Sequence, residues 1–126
     1  MKTGRKISGG KYQKKKKKKH YELARQPRNT KLGKTKIKII KAKGGNKKIT
    51  LLSTDLANIL NTKTKKAKKA KIKNVLETPS NRFLARQNIL TKGAIIETEL
   101  GKARITNRPS QEGSVQAILL EEKTEK

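Results

Sequence analysis

The sequence predicts a mainly β protein, a small closed or nearly closed β-barrel of about six strands, with a long basic N-terminal extension and at most one short helix. Three observations carry this expectation. From about residue 35 onward, short apolar segments recur at regular spacing between turns rich in Gly, Asn and Pro, as in small all-β architectures. Residues 1–34, by contrast, scatter Ile7, Tyr12, Tyr21, Leu23 and Leu32 among Gly, Lys, Arg, Asn and Thr, too little apolar surface to offset the entropy of ordering the backbone. Charge follows the same division: the formal total of +26 falls as +19 on residues 1–48 (20 basic, 1 acidic), +6 on 49–73 (7 and 1) and +1 on 74–126 (8 and 7). A closed barrel is favoured over an open sheet because so small a sheet gains most from having no free edge.

The elements follow in order. Thr35–Lys41 alternates, placing Ile37 and Ile39 on one face and lysines on the other, the period of a half-buried strand. Gly44-Gly45-Asn46 tolerates positive φ and predicts a hairpin turn, after which Ile49–Leu52 returns as a second strand and continues with breaks to Leu60. Asn61–Lys65 reads as another turn, Lys63–Lys73 as low complexity, and Lys71–Leu76 as a further strand. Pro79-Ser80-Asn81 caps a short helix reaching about Arg86, the one place where a helix competes well. Ala94–Glu99 is a strand, Leu100-Gly101 a tight turn, Lys102–Thr106 a strand, Pro109–Gly113 a loop and Ser114–Leu120 the closing strand. The expected organisation is an arm over 1–34, a barrel over 35–121 and a disordered tail over 122–126.

Several function classes are disfavoured. One small domain is all that 126 residues support. Without cysteine there is neither a disulfide framework nor a thiolate metal site. The longest uninterrupted apolar run, Ala117–Leu120, falls far short of a membrane span, and the N-terminus lacks the apolar stretch of a secretory signal. These features fit a cytoplasmic protein without a membrane partner. His20 is the only histidine and stands beside six lysines rather than beside an orienting partner. No phosphate-binding loop or nucleophile elbow is present, so the sequence predicts no enzyme, no cofactor, no metal and no small-molecule substrate.

A chain this basic repels itself and calls for a polyanion. Nucleic-acid contacts are therefore expected at Lys2, Arg5, Lys6, Lys11, Tyr12, Lys14, Lys15, Lys16, Lys17, Lys18, Lys19, His20, Arg25, Arg28, Lys31 and Lys34 in the arm. Arginine suits bidentate phosphate contacts, while lysine acts as a mobile point charge. Lys43, Lys47 and Lys48 flank the Gly-Gly-Asn turn and read as a basic finger projecting from the barrel. Arg82 and Arg86 share one helical face, and for them phosphate contact and plain surface solubility stand level. With only Tyr12, Tyr21 and Phe83 as aromatics, base stacking is scarce, and recognition of folded RNA by shape, phosphate and 2′-OH is favoured. Phe83 itself reads as core.

The segment Asn88-Ile89-Leu90-Thr91-Lys92-Gly93-Ala94-Ile95-Ile96-Glu97-Thr98, followed by Leu100–Thr106 and Arg108-Pro109, resembles the ribosomal protein S8e family of the archaeal and eukaryotic small subunit. Gly4-Arg5-Lys6 with Gly9-Gly10, Tyr21-Glu22-Leu23, Arg25, Thr30 and Gly44-Gly45-Asn46 match in the same order, so the resemblance spans nearly the whole chain. It implies a β-barrel with an extension lying along ribosomal RNA of the small subunit, neighbouring ribosomal proteins as partners, and a monomer within the ribosome. The short length resembles the archaeal form. The plain lysine run departs from the mixed basic sequence of the family, so the implied RNA role carries over best to Arg5, Lys6, Arg25, Arg28, Lys43 and Lys47. A histone-like DNA-packaging protein would share the charge pattern and is the rival.

Overall fold

The computed structural model describes residues 4–12, 17–24 and 26–120. Nine strands and two short helices occur among them: β1 (Thr30–Leu32), β2 (Lys36–Lys41), β3 (Lys47–Thr54), β4 (Leu56–Asn61), β5 (Lys66–Glu77), α1 (Arg82–Arg86), β6 (Ile89–Leu90), β7 (Ile95–Thr98), β8 (Gly101–Ile105), α2 (Pro109–Glu112) and β9 (Gln116–Leu119). The barrel closes with five strands in the order β4-β5-β7-β8-β9, and the other four form a second sheet in the order β2-β3-β1-β6.

Barrel closure rests on a repeated small–large pair. Ala57 and Ile59, Ala70 and Ile72, Ala94 and Ile96, and Ala103 and Ile105 each stand two residues apart and are all buried, with Val115 and Ala117 completing the set. A five-stranded interior is narrow, and alternating alanine with isoleucine fills it without overpacking. The twelve-residue β5 pairs with β4 through Lys66–Lys71 and with β7 through Ile72–Glu77. Register shifts near Asn74 and between Val75 and Glu77 bend it around the wall. A parallel pairing of β4 with β9 completes the ring.

This long strand begins within the lysine-rich stretch read as low complexity. Lys69, Lys71 and Lys73 are exposed while Ala70 and Ile72 are buried. The short side chain of Ala70 hides an inward period that the surrounding lysines obscure.

In the second sheet the Gly44-Gly45-Asn46 turn joins β2 to β3 as expected. Gly44 and Gly45 take φ of 74° and 76°, and the Ala42 amide donates to the Asn46 carbonyl at 2.7 Å. β1, which falls within the stretch read as arm, lies between β3 and β6. Thr30 anchors it, its buried hydroxyl donating to the Leu51 carbonyl at 2.9 Å.

Three local expectations are corrected. Ile37 and Ile39 do alternate with lysines, but they are 54% and 63% exposed, because β2 is an edge strand and the face of its hairpin beyond Leu51 is left uncovered. Phe83, read as core, lies on the outer side of α1 and is 54% exposed. Finally, the segment read as a loop at Pro109–Gly113 contains α2, so there are two short α-helices rather than at most one. Proline at the first helical position presets φ, and Gly113 ends the turn at φ 76°. Asn107 staples this corner. Its amide donates to the Glu112 carboxylate at 3.0 Å and the Ser114 carbonyl at 2.7 Å, and its Oδ1 accepts from the Gln116 amide at 3.0 Å.

Candidate nucleic-acid interface

The N-terminal residues form local structure that costs little apolar burial. Arg5 bridges to Lys11 across a small hairpin, with the Lys6 amide donating to Gly10 and the Gly9 amide donating back to Lys6, both at 2.8 Å. The Arg5 guanidinium donates to the Gly9 carbonyl at 2.9 Å, and the Lys6 ammonium lies 5.9 Å from the Tyr12 ring centre. Glycine at φ 78° in position 9 allows the turn. The effect is to present Arg5, Lys6 and Lys11 together on an exposed loop.

A second local unit follows. Lys17, Lys18 and Lys19 are exposed, and His20 opens a single 3₁₀ turn, His20–Glu22. The Glu22 carboxylate accepts from the Lys19 amide at 3.1 Å, and the Lys19 ammonium sits 5.9 Å from the Tyr21 ring centre. The expected contacts Lys2, Lys14, Lys15, Lys16 and Arg25 lie outside the described residues.

Strand pairing gathers cations that the sequence separates. Arg28, half-buried, donates to the Thr50 hydroxyl at 3.5 Å and thereby stands over β3. A cleft of about 670 Å³ forms there, lined by Arg28, Lys41, Lys48, Thr50, Ser110 and Gln111. Three cations at one cleft, with hydroxyl and amide donors, suit an anion such as a phosphate. Lys48 and Lys41 reach it because β2 and β3 pair Ile40 with Lys48 and Lys41 with Lys47. Lys43, in the hairpin turn, and Lys47 are exposed nearby in the chain. Lys31 is exposed on β1, and the carbonyl of the exposed Lys34 accepts from the Ser53 hydroxyl at 2.6 Å.

Arg82 and Arg86 lie apart from that cleft in the fold, on α1 beside β5 and β6. Asn81 caps the helix, its Oδ1 accepting from the Phe83 amide at 2.9 Å. The guanidinium carbons stand 5.4 and 5.9 Å from the centre of the Phe83 ring. Both line a groove of about 350 Å³ against Asn74, Glu77, Thr78 and Asn88.

Two sets of exposed cations lie outside the contacts expected from the sequence. Lys66, Lys68, Lys69, Lys71 and Lys73 make a basic stripe along β5, and Lys36, Lys38 and Lys41 line the β2 edge. Their alternation with alanine or isoleucine was the available signal. One acid is tuned by its surroundings. Hydrogen bonds from the Asn107 side chain and the Arg108 amide, with Lys92 and Arg108 nearby, hold the Glu112 carboxyl below its ordinary value. Among the described residues no His, Cys, Asp and Glu group could hold a metal ion, and no helix is long and apolar enough to cross a membrane.

The family model described as Ribosomal protein S8e matches residues 1–120. A similar curated protein is the small ribosomal subunit protein eS8 of Methanococcus aeolicus, 50% identical over 119 residues, which cover 94% of this chain and 93% of the relative. Another is the small ribosomal subunit protein eS8 of Methanocorpusculum labreanum, 45% identical over 120 residues, covering 95% and 96%.

Proposed function

This chain belongs to the ribosomal protein S8e family, and from that premise we propose that it is a structural component of the small ribosomal subunit that holds folded rRNA by neutralising its phosphates. Within the expected arm over 1–34, the residues before β1 act as the extended basic part along RNA, while Thr30–Leu32, held between β3 and β6, joins residues 35–121 in the β module that fixes the arm's origin, and residues 122–126 act as a tail. The protein works as a monomer among neighbouring ribosomal proteins in the cytoplasm. It binds and does not catalyse.

One observation supports this most strongly. Of the 20 basic residues in positions 1–48, every described one is exposed except Arg28, which is half-buried at a cleft shared with Lys41 and Lys48. A single acid accompanies them in that stretch. Such a surface gains by meeting closely packed phosphates and releasing their counterions. The scarcity of aromatics favours contact with the backbone of folded RNA over readout of extended single strands.

Competition tests the proposal. Folded small-subunit rRNA should displace an equal mass of duplex DNA from the protein, and the protein should stay with small subunits through a high-salt wash. Preference for DNA would replace this function with DNA packaging. Equal affinity for anionic vesicles would reduce it to charge alone.

A further inference from the structure

We propose that the open end of the barrel, between the β4–β5 and β7–β8 turns, takes a single bulged RNA base with an edge of hydrogen-bond acceptors, such as guanine, while the lysines of β5 hold the flanking phosphates. The inference rests on the rRNA-binding function proposed above and adds a ligand class at a place far from the basic arm in sequence.

Strand register builds this end of the barrel. β4 and β5 pair Ala57 with Ala70, Ile59 with Lys68 and Asn61 with Lys66. Residues directly opposite share a face, and Ala57, Ile59 and Ala70 are buried, so Lys68 and Lys66 continue the interior row out to solvent. Leu119, opposite the buried Ala103, and Leu100, in the β7–β8 turn, close the other side. Gly101, opposite the buried Thr98, carries no side chain to fill the space, and a Cβ there would meet only Leu119 Cδ1, at 3.7 Å. The result is a cavity of about 310 Å³, at the lower end of the range of about 300–1,000 Å³ for small-ligand clefts. Ile59, Leu100 and Leu119 give it an aliphatic floor, and Lys66, Lys68, Asn61 and Thr64 a polar rim.

The side chains of the rim are chiefly donors. Asn61 Oδ1 already accepts from the Lys63 and Thr64 amides at 3.0 and 3.4 Å, which commits its acceptor and leaves Nδ2 as a donor. Ammonium groups donate and never accept, and no carboxylate lines the cavity. A base edge of acceptors, as guanine presents at O6 and N7, therefore meets partners here, whereas the amino group of adenine finds only the Thr64 hydroxyl as a side-chain acceptor. The aliphatic floor suits the flat face of a base, in a chain too poor in aromatics to stack one, and a bare phosphate would leave that floor unused. The same strand supplies the track that leads to the cavity. Lys69, Lys71 and Lys73 are exposed along β5, about 7 Å apart in succession, and no acid interrupts Lys66–Lys73. A row of cations matches the repeated phosphates of RNA better than the scattered carboxylates of an acidic peptide.

The test uses the full chain. In methyl NMR, guanosine monophosphate should shift the Ile59, Leu100 and Leu119 signals through the ring current of its base, and inorganic phosphate should not. Adenosine monophosphate should bind about 5-fold or more weakly. Leu100 is 45% exposed, so its truncation spares the fold. With transcribed small-subunit rRNA, Leu100→Ala should weaken binding by about 3- to 10-fold and leave the slope of log K against log salt unchanged. Lys66→Gln and Lys68→Gln should each flatten that slope by about 1. Absent methyl shifts, or shifts that inorganic phosphate reproduces, would overturn the base site. Parental rRNA affinity in Leu100→Ala, alongside tight binding by the parent, would do the same and leave the wider function standing. Equal binding of the two nucleotides would overturn the preference for an acceptor edge. Loss of a neighbouring protein from subunits carrying Leu100→Ala, with rRNA affinity unchanged, would overturn the site in favour of a protein contact. If the parent itself ignores rRNA, the wider function falls with it.

Discussion

Along β5 of the barrel, Lys69, Lys71 and Lys73 alternate with Ala70 and Ile72, whose side chains are buried. In residues 4–12 and 17–24 the cations alternate with nothing that is buried at all, and Ile7 stands fully exposed at the tip of its turn. The two regions carry similar charge density by different means. In the barrel the inward face contributes the folding energy, so lysines on the outward face are tolerated whether or not a partner is present. In the N-terminal region backbone turns, the hydrogen bonds of Arg5 to Gly9 and of Lys19 to Glu22, and two loose ammonium–ring contacts oppose mutual repulsion without any buried apolar face. Its residues gain most from order when an anion supplies the missing attraction. High charge, then, says that a partner exists, while the apolar residues between the charges say whether folding waits for it.

Removing residues 1–24 should separate the two regions most sharply. All nine strands begin at or after Thr30, so thermal unfolding should be retained, while affinity for folded rRNA falls by about a thousand-fold or more at ordinary salt. A truncated protein that binds as before would break the comparison.

The reverse experiment acts on the barrel. Ile96 is fully buried, so Ile96→Ala should lower unfolding free energy by about 2–5 kcal/mol in urea titrations. Ile39→Ala, on the exposed hairpin face, should change it by less than about 0.5 kcal/mol. A large loss at Ile39 would mean that something covers that face.

A smaller effect belongs to the α2 corner. A Cβ on Gly113 would come within 2.6 Å of Ile49 Cγ2, at a φ of +76° that side chains avoid. Gly113→Ala should therefore cost about 1–3 kcal/mol in the same titration.

The smallest is a pH effect. The folded Glu112 carboxyl titrates below its ordinary value, so its stabilisation is present above that value and disappears as pH falls through the lower, folded one. Glu112→Gln should flatten the acid limb of the stability curve slightly, and an unchanged limb would remove Glu112 from the account.

Much of this was legible from local pattern. The later strands and the Gly44-Gly45 turn announce themselves because each needs only its own alternation or backbone freedom. β1 does not: Thr30-Lys31-Leu32 becomes a strand through pairing with β3 and β6, neither adjacent in sequence. Alternation at Ile37 and Ile39 reveals which residues share a face and not whether anything packs on it. The recurring Ala-x-Ile spacing could have located the barrel strands, including the start of β5, but alanine reads as neutral among lysines. For the interface, charge was visible throughout. The meeting of Arg28 with Lys41 and Lys48 depends on strand register, and the exposure of Phe83 depends on which side of α1 faces the sheet.

The most direct test is the salt dependence of rRNA binding, measured side by side on the whole chain and on the form lacking residues 1–24. If about ten phosphates are neutralised, log K should fall against log salt with a slope of roughly −7 to −9 for the whole chain, and the truncated form should lose the greater part of it. A slope near zero for the whole chain, or the same slope for both forms, would contradict the account.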